Sequence, residues 1–377
     1  MSQNIIKSHQ DLGKKNFSIE FWRFAFALSI AIMHFNEIYQ IRLYSKVQSG
    51  FFPGAYLGVD FFFILSGFLL VSHYNQAVIN GKEESAFYFT FGKIKHIYAY
   101  YIVAFFLLML HNILQIHYAS PLSFIKTLAE NIFQYKWEIV LLQMSELGEK
   151  TYINFPTWYI SVMLICNYFI YALIKKNKSN FINIIAPLII IVGGGYLANK
   201  WSNISMWHDY NGLLNYGWIR GMIDGCIGCL IYELYQKLLV QKNSWTKFQI
   251  AMINMVEIIF IVRVVYAIYT HKNGRDDFWD IFLMAGIILI AFLKVTYIDH
   301  FLDNYISAFL GQMSLVIYLN QAFLFALFLD IIGLKYNFGI TLMIALIVLN
   351  LGSVLIKYII DTSLNTWFKN NRLRTKY

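Results

Sequence analysis

The chain has 377 residues, of which 58% are hydrophobic and only 14% are charged, whereas a soluble domain is about 25% charged. Together with a mean hydropathy of +0.53 and only four Pro residues, this composition excludes an ordinary soluble domain and indicates a polytopic membrane protein. We attribute the formal charge of +9 to cytoplasmic loops that face anionic lipid, and we expect no nucleic-acid partner.

Ten apolar runs are long enough to cross a bilayer, which needs about 20 residues per helix. They lie at 19–39, 56–74, 97–115, 157–174, 181–198, 212–232, 250–269, 278–295, 305–329 and 337–360. We therefore predict an all-α bundle of about ten transmembrane helices. Residues 19–361 form the membrane domain, with tails at 1–18 and 362–377.

The distribution of basic residues predicts the orientation of the bundle. If the N-terminus is cytoplasmic, seventeen Lys and Arg residues fall in inner segments and nine in outer segments. Cytoplasmic loops carry the excess of basic residues in membrane proteins. Both termini are therefore predicted to be cytoplasmic.

The first run carries two ionisable side chains, Arg23 and His34, eleven residues apart. Eleven steps of about 100° bring both side chains to one helix face, roughly 16 Å apart along the axis. Ionisable groups in lipid are costly and usually face a protein interior or a water-filled path. His34 is therefore a candidate general base. A buried His bonded to a backbone or Tyr group is the alternative interpretation.

Two carboxylates are predicted at a depth similar to that of His34. Glu37 follows it by three residues and Asp60 enters the second run, so either could orient the imidazole. The alternatives are an interfacial carboxylate for Glu37 and, for Asp60, a helix start where a negative charge suits the dipole. The later pair Ser66-Gly67 is predicted to allow close helix packing rather than to supply a nucleophile.

A basic cluster of Lys93, Lys95 and His96 precedes the third run on the predicted cytoplasmic side. Compact cations bind phosphate well, so this cluster could hold the phosphates of a cytosolic donor. An ordinary positive-inside cluster is the alternative. The loop at 116–156 contains an amphipathic stretch that could lie on the membrane surface or cover a site.

The fourth run opens with Trp158 and Tyr159, whose rings suit either an interfacial anchor or a platform for a sugar ring. In a later run, Arg220 and Asp224 are four residues apart, so they can pair within one helix, and both could also line a cavity.

Two cysteines, Cys226 and Cys229, lie in an apolar helix without a second ligand pair, and we predict that they serve packing. Walker, Rossmann, zinc and Gly-x-Ser-x-Gly patterns do not occur in the sequence. We therefore predict no metal site and no permanently bound cofactor.

Four motifs in register along the chain resemble those of the membrane acyltransferase 3 family, polytopic enzymes that O-acylate cell-surface glycans. The family's first helix has a basic residue, ten positions and then His, which Arg23 and His34 match. The other motifs are Gly58-Val-Asp-Phe-Phe-Phe-Ile-Leu-Ser-Gly-Phe-Leu69, Pro156-Thr-Trp-Tyr-Ile-Ser161 and Leu310-Gly-Gln-Met-Ser-Leu-Val-Ile-Tyr-Leu319. The resemblance covers nearly the whole chain.

The chain departs from the family pattern at several positions. Members often have an Arg-x-x-Arg pair followed by Ile-Tyr-Pro, where this chain has Lys93-Ile-Lys-His96-Ile-Tyr-Ala99. Positive charge is kept, but bidentate phosphate binding by Arg is lost. Many members have His after the late motif, where this chain has Asn320-Gln321, and some have Glu at the position of Met163.

The resemblance implies a helical bundle around a polar cavity, and an acyl-CoA donor, foremost acetyl-CoA, that binds from the cytoplasm as a co-substrate. The acceptor would be a hydroxyl of a lipid-linked or exported glycan, and the membrane would be the bacterial inner membrane by analogy with bacterial members. Arg23 and the cluster of Lys93, Lys95 and His96 would hold the CoA phosphates.

The resemblance also assigns roles at the other end of the first helix. His34 would act as general base or accept the acyl group, oriented by Asp60 or Glu37. Arg220 would position substrate or stabilise the oxyanion. The aromatic pair Trp158-Tyr159 would contact the acceptor.

The competing hypothesis is a transporter or flippase for a glycan or lipid intermediate, since such a protein also needs a polar, charged cavity. That hypothesis gives no reason for a base and a phosphate-binding cation to share one helix face. A degenerate family member that acts as a scaffold is a third possibility, which the altered Arg pair keeps open.

Overall fold

The computed structural model describes residues 15–43, 51–118, 120–145, 147, 152–207, 210–211, 214–270, 274–332 and 337–374. Its helices are α1 (Phe17–Leu43), α2 (Gly58–Ile79), α3 (Ala86–Leu114), α4 (Pro121–Gln134), α5 (Lys136–Ile139), α6 (Trp158–Asn180), α7 (Ala186–Lys200), α8 (Tyr216–Gln241), α9 (Lys247–Thr270), α10 (Asp277–Leu293), α11 (Tyr297–Leu302), α12 (Tyr305–Ile332) and α13 (Phe338–Arg374). Two-residue strands, β1 (Tyr210–Asn211) and β2 (Leu214–Asn215), pair antiparallel before α8.

Each apolar run predicted from the sequence overlaps a helix for most of its length. Seven helical stretches of the described chain are long and apolar enough to cross a membrane. The runs at 157–174 and 181–198 form one such stretch, Phe155–Lys200, which non-helical backbone at Asn177 interrupts. The all-α membrane class is therefore confirmed, whereas the number of spans and the side of the termini stay predictions.

Two of the differences between the helices and the predicted runs bear on residues singled out in the sequence. α3 begins at Ala86, because the side chain of Ser85 caps it by accepting the backbone N–H of Tyr88. The cluster of Lys93, Lys95 and His96 therefore lies inside a helix rather than before one. At the other end of the chain, α13 continues to Arg374 and includes residues that we assigned to the C-terminal tail.

Helices α2 and α8 cross at backbone contact. A Cβ atom on Gly67 would lie 2.1 Å from the carbonyl oxygen of Gly225, and one on Gly228 would lie 2.0 Å from that of Ile64. Cys229 is fully buried in the same crossing, with its Sγ 3.7 Å from the carbonyl oxygen of Gly67. These contacts agree with the packing interpretation of the small residues in both helices.

A second close crossing joins α1 to α12, the pair of helices with the most extensive contact in the bundle. A Cβ atom on Gly311 would lie 2.7 Å from the Cα of Glu20. α1 is thereby held against α12 along its length. The crossing fixes which residues of α12 lie beside His34.

The α2–α8 crossing predicts a large effect of one methyl group. We expect Gly228→Ala to destabilise the protein by about 1–3 kcal/mol, since the new Cβ meets backbone and the helices must move apart. The matched control is Gly194→Ala in α7, where a Cβ would meet nothing within 4 Å. This change should leave stability the same or raise it by less than about 1 kcal/mol. Thermal unfolding in detergent measures both, and equal midpoints would contradict the crossing.

Candidate active site

A cavity of about 510 Å³ opens at the end of α1 that carries His34. Its walls come from α1, α2, α6, α8, α12 and the segments before α2 and α8. The lining residues are Ile30, Met33, His34, Asn36, Glu37, Gln40, Pro53, Tyr56, Val59, Phe155, Trp158, Ser205, Trp207, Arg220 and Tyr318. His34, Glu37, Trp158 and Arg220, which the sequence pointed to, therefore share one cavity.

The imidazole of His34 is fixed by an amide on α12. Its Nδ1 lies 3.1 Å from Oε1 of Gln321, and Nε2 of Gln321 donates to the carbonyl oxygen of Tyr318 at 2.8 Å. The second bond sets the amide orientation, because only the amide nitrogen can donate to a carbonyl. Nδ1 of His34 must then carry the proton that it donates to Oε1. In the neutral ring, Nε2 consequently keeps its lone pair.

The phenyl ring of Phe155 packs against the same imidazole from another side. Phe155 packs edge-on against His34 with ring centroids 4.8 Å apart. It belongs to a short 3₁₀ turn, Phe155–Thr157, that leads into α6. The carbonyl oxygen of Pro156 accepts a hydrogen bond from the hydroxyl of Tyr318, which ties this turn to α12. His34 is thus held between α12 and the start of α6.

Arg220 forms a buried ion pair with Asp60, not with the Asp224 that the sequence predicted as its partner. Its Nε and Nη2 lie 2.6 and 2.7 Å from the two carboxylate oxygens of Asp60, and Nη2 also donates to the carbonyl oxygen of Tyr56 at 2.9 Å. The side chains are 1% and 0% exposed. Both Asp60 oxygens are thus used by Arg220, and Asp60 does not contact His34. Nη1 of Arg220 has no partner among the described residues.

Asp224 lies one helical turn beyond Arg220 and is fully buried. Its carboxylate oxygens accept no hydrogen bond from a donor group in the described part of the chain, and its carboxyl group lies within hydrogen-bond range of that of Asp60. The i, i+4 spacing brought the two side chains to one face of α8. The bidentate geometry offered by Asp60 across the α2–α8 crossing gives Arg220 two short hydrogen bonds instead.

Tyr56 extends the ion pair to a third helix. Its hydroxyl donates to the carboxylate of Asp277, at 3.0 Å from Oδ2, and the backbone N–H of Ile204 donates to the same oxygen at 3.1 Å. Asp277 opens α10 and is fully buried. The chain from Arg220 through Tyr56 to Asp277 therefore ties α8, the start of α2 and α10 together beside the cavity.

The aromatic platform at the cavity differs from the one predicted. Trp158 stacks nearly parallel on Trp207, with centroids 5.1 Å apart and planes at 17°, and the Arg220 guanidinium lies 5.8 Å from the Trp158 ring. Tyr159 instead packs in the core against Phe63, with centroids 4.8 Å apart. The sequence thus located one of the two rings at the cavity and missed the other.

Glu37 lines the cavity with an exposed side chain. Among the described contacts it has no hydrogen bond to His34. The candidate for orienting the imidazole is therefore Gln321, which the sequence analysis noted only as a departure from the family pattern. The only signal in the sequence was an amide side chain in an otherwise apolar run.

The proposed donor-binding residues lie outside this cavity. Arg23, at the other end of α1, donates to both carboxylate oxygens of Glu20, at 2.8 and 3.0 Å. Lys93 points into the bundle and donates from Nζ to the Ser66 hydroxyl at 3.2 Å. Lys95 and His96 are exposed.

Lys93 contacts polar groups, but no carboxylate in the described part of the chain pairs with it. The Ser66 hydroxyl that accepts from Nζ also accepts from Nδ2 of Asn167 at 2.9 Å. Nζ lies 5.1 Å from the Phe89 ring centroid. Lys93 forms no ion pair with a carboxylate in the described part of the chain. Ser66 is six residues beyond Asp60, which puts this ammonium about 9 Å further along α2 than the ion pair.

Comparison with known proteins adds one match. The sequence model of the acyltransferase 3 family, described as an acyltransferase domain, matches residues 16–361. No curated protein and no solved structure matches the chain. Since the matched region takes in every helix that lines the cavity, the chain belongs to the acyltransferase 3 family and is an integral-membrane acyltransferase.

Proposed function

We propose that this acyltransferase moves an acyl group, foremost acetyl, from acyl-CoA to a hydroxyl of a cell-surface or exported glycan in the bacterial inner membrane. The observation that carries the proposal is the imidazole of His34, which lines a polar cavity with its tautomer fixed by Gln321. A neutral imidazole with a free Nε2 is the form that accepts a proton from a hydroxyl.

The reaction would proceed by direct transfer. Nε2 of His34 takes the proton of the acceptor hydroxyl as its oxygen attacks the thioester carbonyl carbon. The C–S bond then breaks, and the thiolate of CoA receives the proton from the imidazolium. The products are an ester and free CoA, and His34 returns to its neutral form.

Arg220 would stabilise the negative charge on the carbonyl oxygen in this step. Its Nη1 donors have no partner among the described residues, and Asp60 holds the guanidinium in place through Nε and Nη2. Donors fixed in advance need no reorganisation when the charge develops. The stacked rings of Trp158 and Trp207 would give the acceptor sugar an apolar face.

Lys93 would bind the donor. An inward ammonium without a described carboxylate partner is a better phosphate ligand than Arg23, whose charge Glu20 already neutralises. In this arrangement the CoA phosphates lie toward the Arg23 end of the bundle and the thioester reaches the cavity. Lys95 and His96 would contribute to the electrostatic attraction from the surface.

The first prediction from the proposed reaction concerns His34. We expect His34→Ala to lower ester formation about 100- to 10,000-fold, the range that general-base catalysis contributes. The measurement is mass spectrometry of surface glycans from cells that express the wild-type chain or the variant. His300→Ala is the matched control, because His300 is exposed on α11 and away from the cavity. Persistent esters in His34→Ala would remove His34 as the base. No esters with any folded chain and a suitable acceptor would favour the transporter.

The second prediction separates the roles of Gln321. Gln321→Met keeps the length of the side chain but removes the acceptor for the Nδ1 proton. We expect kcat to fall about tenfold to a hundredfold, since one hydrogen bond worth about 1–3 kcal/mol holds the reactive tautomer. Gln321→Glu keeps an acceptor oxygen and should retain more activity than Gln321→Met. Steady-state kinetics in membranes measures both, and equal activities would contradict this role.

The third prediction compares two lysines of α3. Lys93→Gln should raise the KM for acyl-CoA about tenfold, which corresponds to about 1.4 kcal/mol of lost binding. Lys95→Gln removes an exposed charge two residues away and should change this KM less than about twofold, because exposed ion pairs contribute little. Kinetics with varied acyl-CoA measures both. The reverse order would place the donor phosphates on the surface of α3.

A further inference from the structure

Glu138 is a buried carboxyl that the proposed reaction does not use. It lies in α5, in the loop between α3 and α6, and is fully buried. Its Oε2 accepts the backbone N–H of Ile153 at 2.6 Å and its Oε1 accepts that of Asn154 at 2.9 Å. One carboxyl group therefore gathers two consecutive peptide N–H groups from fifteen residues further along the chain.

The peptide that Glu138 holds leads directly to the reactive imidazole. Asn154 donates from Nδ2 to the carbonyl oxygen of Leu319 at 2.9 Å, two residues before Gln321 on α12. Phe155 follows and packs against the His34 ring at 4.8 Å. The position of the His34 ring thus depends on a turn that is hydrogen-bonded to the Glu138 carboxyl on one side and to α12 on the other.

The described side chains that interact with the Glu138 segment are tyrosines rather than cations. From α3, Tyr101 donates its hydroxyl to the Glu138 carbonyl oxygen at 2.7 Å, and Tyr98 donates to that of Ile139 at 3.2 Å. From its own loop, Tyr135 and Tyr152 lie close enough to interact electrostatically. No positively charged group of the described residues acts on this carboxyl. The two N–H donors are therefore its main compensation for burial.

We propose that Glu138 is a positioning residue for His34: it holds the Ile153–Phe155 segment against the imidazole, and its ionisation loosens that segment. The proposal rests on the proposed role of His34, but the packing that it concerns can be measured without acyl transfer. It assigns a function to the loop that the sequence analysis expected to lie on the membrane or to cover a site.

Burial sets the direction of the pH dependence. Burial raises the pKa of Glu138 from its ordinary value of 4.5 to about 7, although the N–H groups of Ile153 and Asn154 oppose the shift. The packed segment therefore binds the proton more tightly than a loosened, hydrated one. The packing of the Ile153–Phe155 segment is most stable below pH 4.5 and weakens between 4.5 and about 7. Within this range, the fraction of molecules with a loosened segment rises by at most about tenfold per pH unit.

The experiment measures the rate at which diethyl pyrocarbonate modifies His34 in the purified full-length protein, by peptide mass spectrometry between pH 5.5 and 8. Three variants are compared with wild type. Glu138→Gln does not titrate and keeps one acceptor oxygen for the two N–H donors. Glu138→Ala removes both acceptors. Glu130→Ala, an exposed carboxylate on α4 of the same loop, is the matched control.

We expect the ratio of the wild-type rate to the Glu138→Gln rate to rise severalfold between pH 5.5 and about 7 and to level off above it. Taking the ratio of the two rates cancels the titration of His34 itself. Glu138→Ala should react faster than Glu138→Gln across the range, and Glu130→Ala should follow wild type. A wild-type to Glu138→Gln ratio that stays constant with pH would overturn the proposal, even if Glu138→Ala fails to fold. Loss of ester formation in His34→Ala tests the reaction separately, so the two ideas can fail independently.

Discussion

The buried pair of Arg220 and Asp60 is the constraint on which the rest of the bundle depends. A guanidinium that is 1% exposed in a membrane helix must be matched by a fixed partner, since an unpaired charge in a low dielectric costs several kcal/mol. Two hydrogen bonds to one carboxylate require α2 and α8 to come close. The glycines at their crossing allow this approach, because a Cβ at Gly67 or Gly228 would meet backbone.

The same pair shapes the cavity. Nε and Nη2 of Arg220 donate to Asp60 and hold the guanidinium in place, which leaves the Nη1 donors for other partners. Tyr56 carries the constraint to Asp277 on α10. The opposite wall is set by the α1–α12 crossing, which places Gln321 beside His34. Two independent helix crossings thus determine how the His34 imidazole and the Arg220 guanidinium come to line the same cavity.

The sequence predicted the helices well because apolar length and spacing are local properties. Arg23 and His34 could be assigned to one face of one helix from their spacing alone, and the position of Arg220 at a cavity followed from the cost of burying it. Partners across helices were harder to predict. Arg220 had an available carboxylate at i+4, and only the α2–α8 crossing, a tertiary contact, favours Asp60 over Asp224.

The same limit explains why the orienting residue of His34 was missed. A carboxylate is the usual expectation beside a reactive imidazole, and Asp60 and Glu37 were predicted to lie at a membrane depth similar to that of His34. Gln321 lies 287 residues away in the chain, and nothing local indicates that its amide reaches α1. Trp207 precedes α8 in a polar segment without helical periodicity, so its stacking on Trp158 had no signal in the sequence.

The immobility of His34 bears on the choice between catalysis and transport. A transported solute passes along a path whose polar groups must exchange partners as it moves. His34 is instead held by Gln321 on one side and by Phe155 on another, and the amide orientation leaves it one neutral tautomer. Proton transfer needs this fixed geometry, because a misplaced base loses most of its effect on the barrier. The arrangement therefore favours the proposed acyl transfer over transport, and the segment at Phe155 is part of what holds the imidazole in place.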